Sequence, residues 1–122
     1  MARFPRERRI RRAAEIRAVV QGGQRYESAS LRLHLVRAGL LGRDAGPRAA
    51  VIVPRFGHTA VERNRVKRRL REIVRLHFLE APELRGGDFV IRARAGAYGR
   101  GYDHLRGELL RVLERIASTG GT

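Results

Sequence analysis

Cysteine is absent from the 122 residues, and so is tryptophan. Without a thiol the chain has no disulfide, no cysteine nucleophile and no Cys-ligated zinc or iron–sulfur cluster. Aromatic residues make up only 6%, and no basic amphipathic helix with aromatic anchors is present to lie on a membrane surface. Acids are scarce as well. Asp and Glu number 12 against 27 Lys and Arg, and they are scattered, so neither a carboxylate cluster for two metal ions nor a histidine–acid–nucleophile arrangement emerges. No apolar run approaches the roughly 20 residues of a membrane span. The opening residues, with arginine at positions 3, 6, 8, 9, 11 and 12, carry no apolar stretch of signal-peptide length. The expectation is a cytoplasmic chain without a membrane partner, a catalytic residue or a metal site of its own.

What remains is positive charge. The net charge is +15 and the sequence pI about 11.8, far beyond what solubility requires. Such a field seeks a polyanion, and nucleic acid is the default because each neutralised phosphate releases condensed counterions. With 43% hydrophobic residues the chain can also bury the core of one small domain. Residues 1–117 are expected to form it, with a basic flexible head over 1–7 and a disordered tail over 118–122.

Periodicity divides the middle of the chain. Ile10, Ala13, Ala14, Ile16, Val19 and Val20 predict a first helix over 8–21, stopped by Gly22 and Gly23. Residues 30–36 switch to period two, with Leu31, Leu33 and Leu35 opposite Arg32 and His34. After a glycine-rich loop, the apolar run 49–53 reads as a more central strand, expected to pair with the first as a hairpin. Thr59 and Glu62 have the spacing of a capping box, and Val66, Leu70, Ile73, Val74 and His77 continue as a helical stripe until Pro82 forbids it. Phe89, Ile91 and Ala93 then alternate with Val90, Arg92 and Arg94 in another strand, and Leu105, Leu109, Val112, Leu113 and Ile116 mark a last helix. Helices and strands in this order predict a small α+β sandwich.

Six cations fall within nine positions from Arg63 to Arg71, on the opening turns of the capped helix. At 100° per residue, Arg63, Lys67 and Arg71 form one row beside the apolar stripe, Asn64 and Arg68 lie just beyond it, and Arg65 and Arg69 border the other side. Like charges at this spacing, close to the positive end of the helix dipole, destabilise a helix by a few tenths of a kcal/mol per pair. Only Glu62 and Glu72 offset them locally. A phosphate backbone would reverse the sign of these terms, and the guanidinium fork suits phosphate oxygens and base edges. A solvated basic face is the bland alternative, but the surplus of cations elsewhere in the chain argues for contact with nucleic acid.

The run Arg63, Asn64, Arg65, Lys67, Arg68, Arg71 and Glu72 is similar to the Arg-Asn-Arg-x-Lys-Arg-x-x-Arg-Glu hallmark of bacterial ribonuclease P protein subunits. The flanking order is similar too, from Arg9-Ile10-Arg11 through Leu31-Arg32-Leu33-His34 to Asp88-Phe89-Val90-Ile91-Arg92. The resemblance implies an αβββαβα sandwich like that of a ribosomal-protein domain, with a left-handed βαβ crossover around the basic helix. It also implies a catalytic RNA bound through Arg63, Asn64, Arg65, Lys67, Arg68, Arg69 and Arg71, and a 5′ leader of precursor tRNA held in a cleft. Arg9, Arg11, Ile16, Val20, Arg32, His34, Arg55 and Phe56 are the expected cleft residues. By the same resemblance the RNA hydrolyses the substrate with Mg²⁺, and no protein partner is required. Departures fall in the cleft: Ile16 and Val20 stand where relatives often carry aromatics, and His34 where a tyrosine is common, so base stacking is expected to weaken or move to His34 and Phe56.

Other residues have plainer readings. His77 is expected to pack in the core, His58 and His104 to be solvated, and Phe4 and Phe89 to be core, while Tyr26, Tyr98 and Tyr102 stay open between core and nucleotide platform. Two rival functions remain: a ribosomal or ribosome-assembly RNA-binding protein of similar fold, and a DNA-binding regulator, for which no helix-turn-helix spacing is present.

Overall fold

A computed structural model of the chain describes residues 4–37 and 46–120. Among the described residues, three α-helices and four strands follow the order α1 (Ala13–Gly22), β1 (Gln24–Glu27), β2 (Leu31–Val36), β3 (Arg48–Ile52), α2 (Ala60–Ile73), β4 (Asp88–Ala93) and α3 (Tyr102–Gly120). This is the expected αβββαβα sequence of elements. The sheet runs β1-β2-β4-β3, antiparallel except between β3 and β4, which are parallel and joined through α2.

The expected hairpin between residues 30–36 and 49–53 does not form. β4 inserts between β2 and β3 and pairs with both, Leu33 opposite Ile91 and Val51 opposite Ile91. Periodicity reports which side of a strand is apolar and says nothing about which strand lies beside it. Strand β1 has too few residues to carry a period. It forms because Gly23 brings the chain directly against β2: a Cβ there would sit 2.6 Å from the Val19 carbonyl oxygen and 2.8 Å from that of Leu35.

One face of the sheet buries Leu31, Leu33, Leu35, Phe89 and Ile91 against α2 and α3, which contribute Val66, Leu70 and Ile73 and Leu105, Leu109 and Ile116. The Thr59–Glu62 capping box is present, with Thr59 Oγ1 accepting from the Glu62 amide and Glu62 Oε1 accepting from the Thr59 amide. After Ile73 the helix widens into a π turn over Val74–Phe78, in which the Leu79 amide donates to the Val74 carbonyl. Phe78 and Leu79 are thereby carried into the core, and His77, expected there, stays half-buried outside it.

Residues 1–3 of the expected head lie outside the described part; in residues 4–8, Phe4 joins the main core, Arg6–Arg8 form a 3₁₀ turn, and Arg8 donates to the carbonyls of Pro47 and Leu79. Helix α1 starts only at Ala13, because Ile10 is extended and donates its amide to the Ala49 carbonyl at the edge of β3. Residues 118–120 continue α3, and residues 121–122 lie outside the described part.

The second face of the sheet is only partly covered. Val19 and Ile16 of α1 pack on Val36, Ala50 and Val90, at the end where Arg48 bridges Asp88 (2.8 Å) and Glu15 of α1 (3.1 Å). The Asp88 side chain is almost wholly buried, so this pair holds α1 over one end and leaves the other end open. No described helix is long and apolar enough to cross a membrane.

Candidate nucleic-acid interface

Two cationic regions result. The first is a ridge on α2. Burial of Val66, Leu70 and Ile73 turns the helix so that Arg63, Lys67 and Arg71 face the outer edge of β3, Asn64 and Arg68 point away from the core, and Arg69 reaches α3's approach by donating to the Arg100 carbonyl at 3.1 Å. A concavity of about 990 Å³ follows the helix between Phe4 and Arg9 on one side and Tyr102 on the other. A smaller one of about 380 Å³ crosses the β3 edge, touching Arg11, Ile16 and Ile52 as well as Arg63, Lys67 and Arg71.

Among the described residues, Arg63, Arg65, Lys67, Arg68 and Arg71 have no carboxylate or hydrogen-bond partner. The two acids nearest in the chain are engaged elsewhere: Glu62 with the cap and with His58 Nδ1 at 3.2 Å, and Glu72 with Arg75 at 2.9 and 2.6 Å. Burial, then the charges of Arg71 and Arg63, push the Lys67 ammonium below its usual pKa. Burial followed by Arg9 and Arg63 does the same to Arg71. Folding thus holds these cations at a cost that a bound anion would reverse.

The second region is the open end of the sheet's second face. Register aligns two rows across it, Glu27–Arg32–Arg92–Ile52 and Arg25–His34–Val90–Ala50. Arg32 and Arg92 are directly opposed, an arrangement unfavourable on its own, and Glu27 sits at the other side of Arg32, 3.5 Å away. His34 is 6% exposed with its Nδ1 unpartnered. Its pKa is lowered, first by burial and then by Arg32, Arg25 and Arg92, so the ring is neutral near pH 7 and its two nitrogens offer one donor and one acceptor. Ile16 is half-buried and Val20 37% exposed at the rim that α1 makes over this face.

Of the expected cleft residues, Arg32 and His34 share this face through the strand register, Ile16 packs on its α1-covered end, Val20 is exposed on α1, and Arg11 lines the trough at the β3 edge. Arg9 lines the same trough and also borders the ridge, donating to the Phe4 carbonyl at 3.1 and 2.8 Å and lying over the Phe4 ring. Arg55 and Phe56 lie past the end of β3. Phe56 is 50% exposed, adopts φ 50°, and meets Tyr98 edge-on at 6.5 Å, while His58 stacks flat on Tyr98 at 3.8 Å and Tyr98 donates to the Pro54 carbonyl at 2.7 Å. A non-glycine residue at such a φ carries strain that the surroundings must hold, and here it presents an aromatic face to solvent. His58 thus stacks on Tyr98 while 37% of its side chain stays exposed, and Tyr98 belongs to the same surface cluster. Arg25 and Glu27 are the residues of this face that the pattern of the sequence does not reveal, because the short β1 gives no periodic signal.

The chain matches the family model described as Ribonuclease P over residues 4–117. It is 42% identical over 117 residues to the ribonuclease P protein component of Xanthomonas oryzae pv. oryzae, covering 95% of this chain and 75% of that protein. Against the component from Gluconacetobacter diazotrophicus it is 36% identical over 118 residues, covering 94% and 96%. The solved structure of the Staphylococcus aureus RNase P protein superposes with a TM-score of 0.75 at 21% identity, covering 88% of this chain and 93% of that one.

Proposed function

Since the chain belongs to the ribonuclease P protein family, we propose that it is the RNA-binding subunit of a precursor-tRNA processing endoribonuclease. The α2 ridge grips the catalytic RNA. The open sheet face receives the single-stranded 5′ leader. The observation that carries this reading is the pairing of a ridge of unpartnered cations with a separate, partly covered basic face, joined by the trough at the β3 edge where Arg11 and Ile16 meet Arg63, Lys67 and Arg71. A strand lying on the face can pass directly into the grip of the ridge. A ribosomal RNA-binding protein would share the charge, but family membership does not favour that alternative.

In this reading the chain contributes binding and not chemistry. Mg²⁺ held by the RNA would supply the activation of water and the stabilisation of the leaving oxygen. The protein neutralises phosphates with Arg63, Arg65, Lys67, Arg68, Arg69 and Arg71, lowering the magnesium needed for the RNA to fold and bind substrate. Because only the uncleaved substrate has an attached leader, contacts from Arg32, His34, Ile16 and Val20 strengthen substrate over product. Phe56, with Arg55 beside it, offers a stacking surface past the end of β3, where a base is worth about 1–3 kcal/mol.

The test is cleavage of a precursor tRNA by a bacterial ribonuclease P RNA at low Mg²⁺, with and without this protein, read as formation of the mature 5′ end. Stimulation that requires the leader is the expected result. RNA binding without stimulation would favour the ribosomal alternative. His34→Ala should weaken a long-leader substrate several-fold more than a leaderless one, whereas equal losses would make His34 structural.

A further inference from the structure

Among the described residues, Glu27 is the one acid on the open sheet face beyond the reach of α1, and its carboxylate is shared among three arginines from three strands or strand ends. Oε1 lies 3.2 Å from Arg25 Nε and 3.5 Å from Arg32 Nε, and Oε2 lies 3.6 Å from Arg94 Nη1. We propose that this carboxylate occupies, in the free protein, the seat of one phosphate of a single-stranded RNA, and that Arg25, Arg32 and Arg94 form that phosphate site. The proposal rests on the reading of this face as the leader's place and adds to it a specific anion seat and a built-in competitor for it.

The geometry separates Glu27 from a structural ion pair. Where Arg48 locks Asp88, the contact is 2.8 Å and the carboxylate buried. Around Glu27 two of the three contacts are 3.5 Å or longer, Arg32 Nε has no hydrogen-bond partner, and all four side chains keep about a third or more of their surface in water. Exposed pairs of this kind contribute little to folding and exchange readily. The site is nonetheless held in place by other means. Arg94 Nη1 donates to the Ser28 carbonyl at 3.0 Å, and the backbone of Glu27 is fixed from α3 by Arg115, which donates to its carbonyl at 2.7 Å. Arg94 therefore keeps its place whether or not the carboxylate fills the seat, with Arg25 and Arg32 beside it on neighbouring strands. A phosphate offers more acceptor oxygens to the same forks.

Displacement has a thermodynamic signature. When RNA enters, the freed carboxylate stands beside phosphates and takes up a cation, which offsets about one of the counterions that binding releases. Removing the charge removes that offset. With the protein assembled on its catalytic RNA, Glu27→Gln should tighten binding of a leader-bearing precursor tRNA about 3- to 10-fold at about 0.1 M salt and steepen its log–log salt dependence by somewhat under one unit. Binding of a leaderless tRNA should not change. Glu27→Asp, which keeps the charge, should retain the wild-type slope. Weaker or unchanged leader binding in Glu27→Gln would overturn the proposal and make Glu27 a positioning residue. Arg32→Ala and Arg94→Ala distinguish the two levels of argument. If both leave leader dependence intact, the leader does not lie on this face and the functional reading fails with the proposal. If they weaken it while Glu27→Gln does not tighten it, only the phosphate seat is lost.

Discussion

The α2 ridge and the open sheet face both carry several arginines and differ in what those arginines already touch. On the ridge the cations repel one another without a described acid to relieve them, since Glu62 and Glu72 are engaged by His58 and Arg75. On the face they surround Glu27 and a buried neutral histidine. Charge alone therefore does not say how a basic surface binds. An unrelieved ridge gains from every phosphate and suits a durable partner, whereas a face with its own counter-ion exchanges one anion for another and suits a strand that must leave.

The largest test of this contrast removes the support of one region. Arg48→Met leaves the buried Asp88 carboxylate without its main partner and frees Glu15 of α1, so unfolding in urea should show a loss of about 3 kcal/mol. Arg65→Ala combined with Arg68→Ala addresses the ridge itself. Binding to the catalytic RNA should weaken about 100-fold and the salt slope flatten by close to two units; an unchanged slope would take both side chains out of the interface. Thr59→Ala removes the hydroxyl that caps the ridge helix and should cost about 1 kcal/mol in thermal or urea unfolding, with leader discrimination unaffected.

The smallest effect concerns pH and belongs to the face. The folded-state pKa of His34 lies below its unfolded value of 6.5, so below that value the unfolded chain binds more protons than the native one and stability falls as pH drops. Urea titrations from about pH 7.5 to about 5.5 should show a steeper loss in the wild type than in His34→Gln. Glu108 adds a second acid-sensitive contribution at lower pH. Its burial favours protonation, but Ser28 Oγ, the Ser30 amide and His104 hold the carboxyl below its usual range, and that contribution disappears only as pH falls beneath about 4.5.

Much of the ridge is legible in the chain's local pattern, because everything needed to place Arg63 to Arg71 lies within one helix. A capping box defines where that helix starts, and a period of 3.6 defines which residues face inward. The face is only half legible in the same way. Arg32 and His34 can be put on one side of a strand, yet Arg25 and Glu27 lie in or at the end of a strand of four residues that carries no usable period. The place of Arg9 is not legible in the same way: the helical pattern extends over it, but the segment is extended, and the Ile10 bond to β3 sets Arg9 beside Phe4, between the trough and the ridge.

Charge count and neighbours within a few residues are enough to point to a polyanion, to place a helical ridge of cations, and to give the alternation of buried and basic positions along each longer strand. No such local information places β4 between β2 and β3, lays α1 over one end of the second face and not the other, or gathers three arginines from different strands on Glu27. Those arrangements join residues as far apart as 27 and 94. Their formation depends on which apolar faces are buried together, a choice made by the whole chain at once and written in no local pattern.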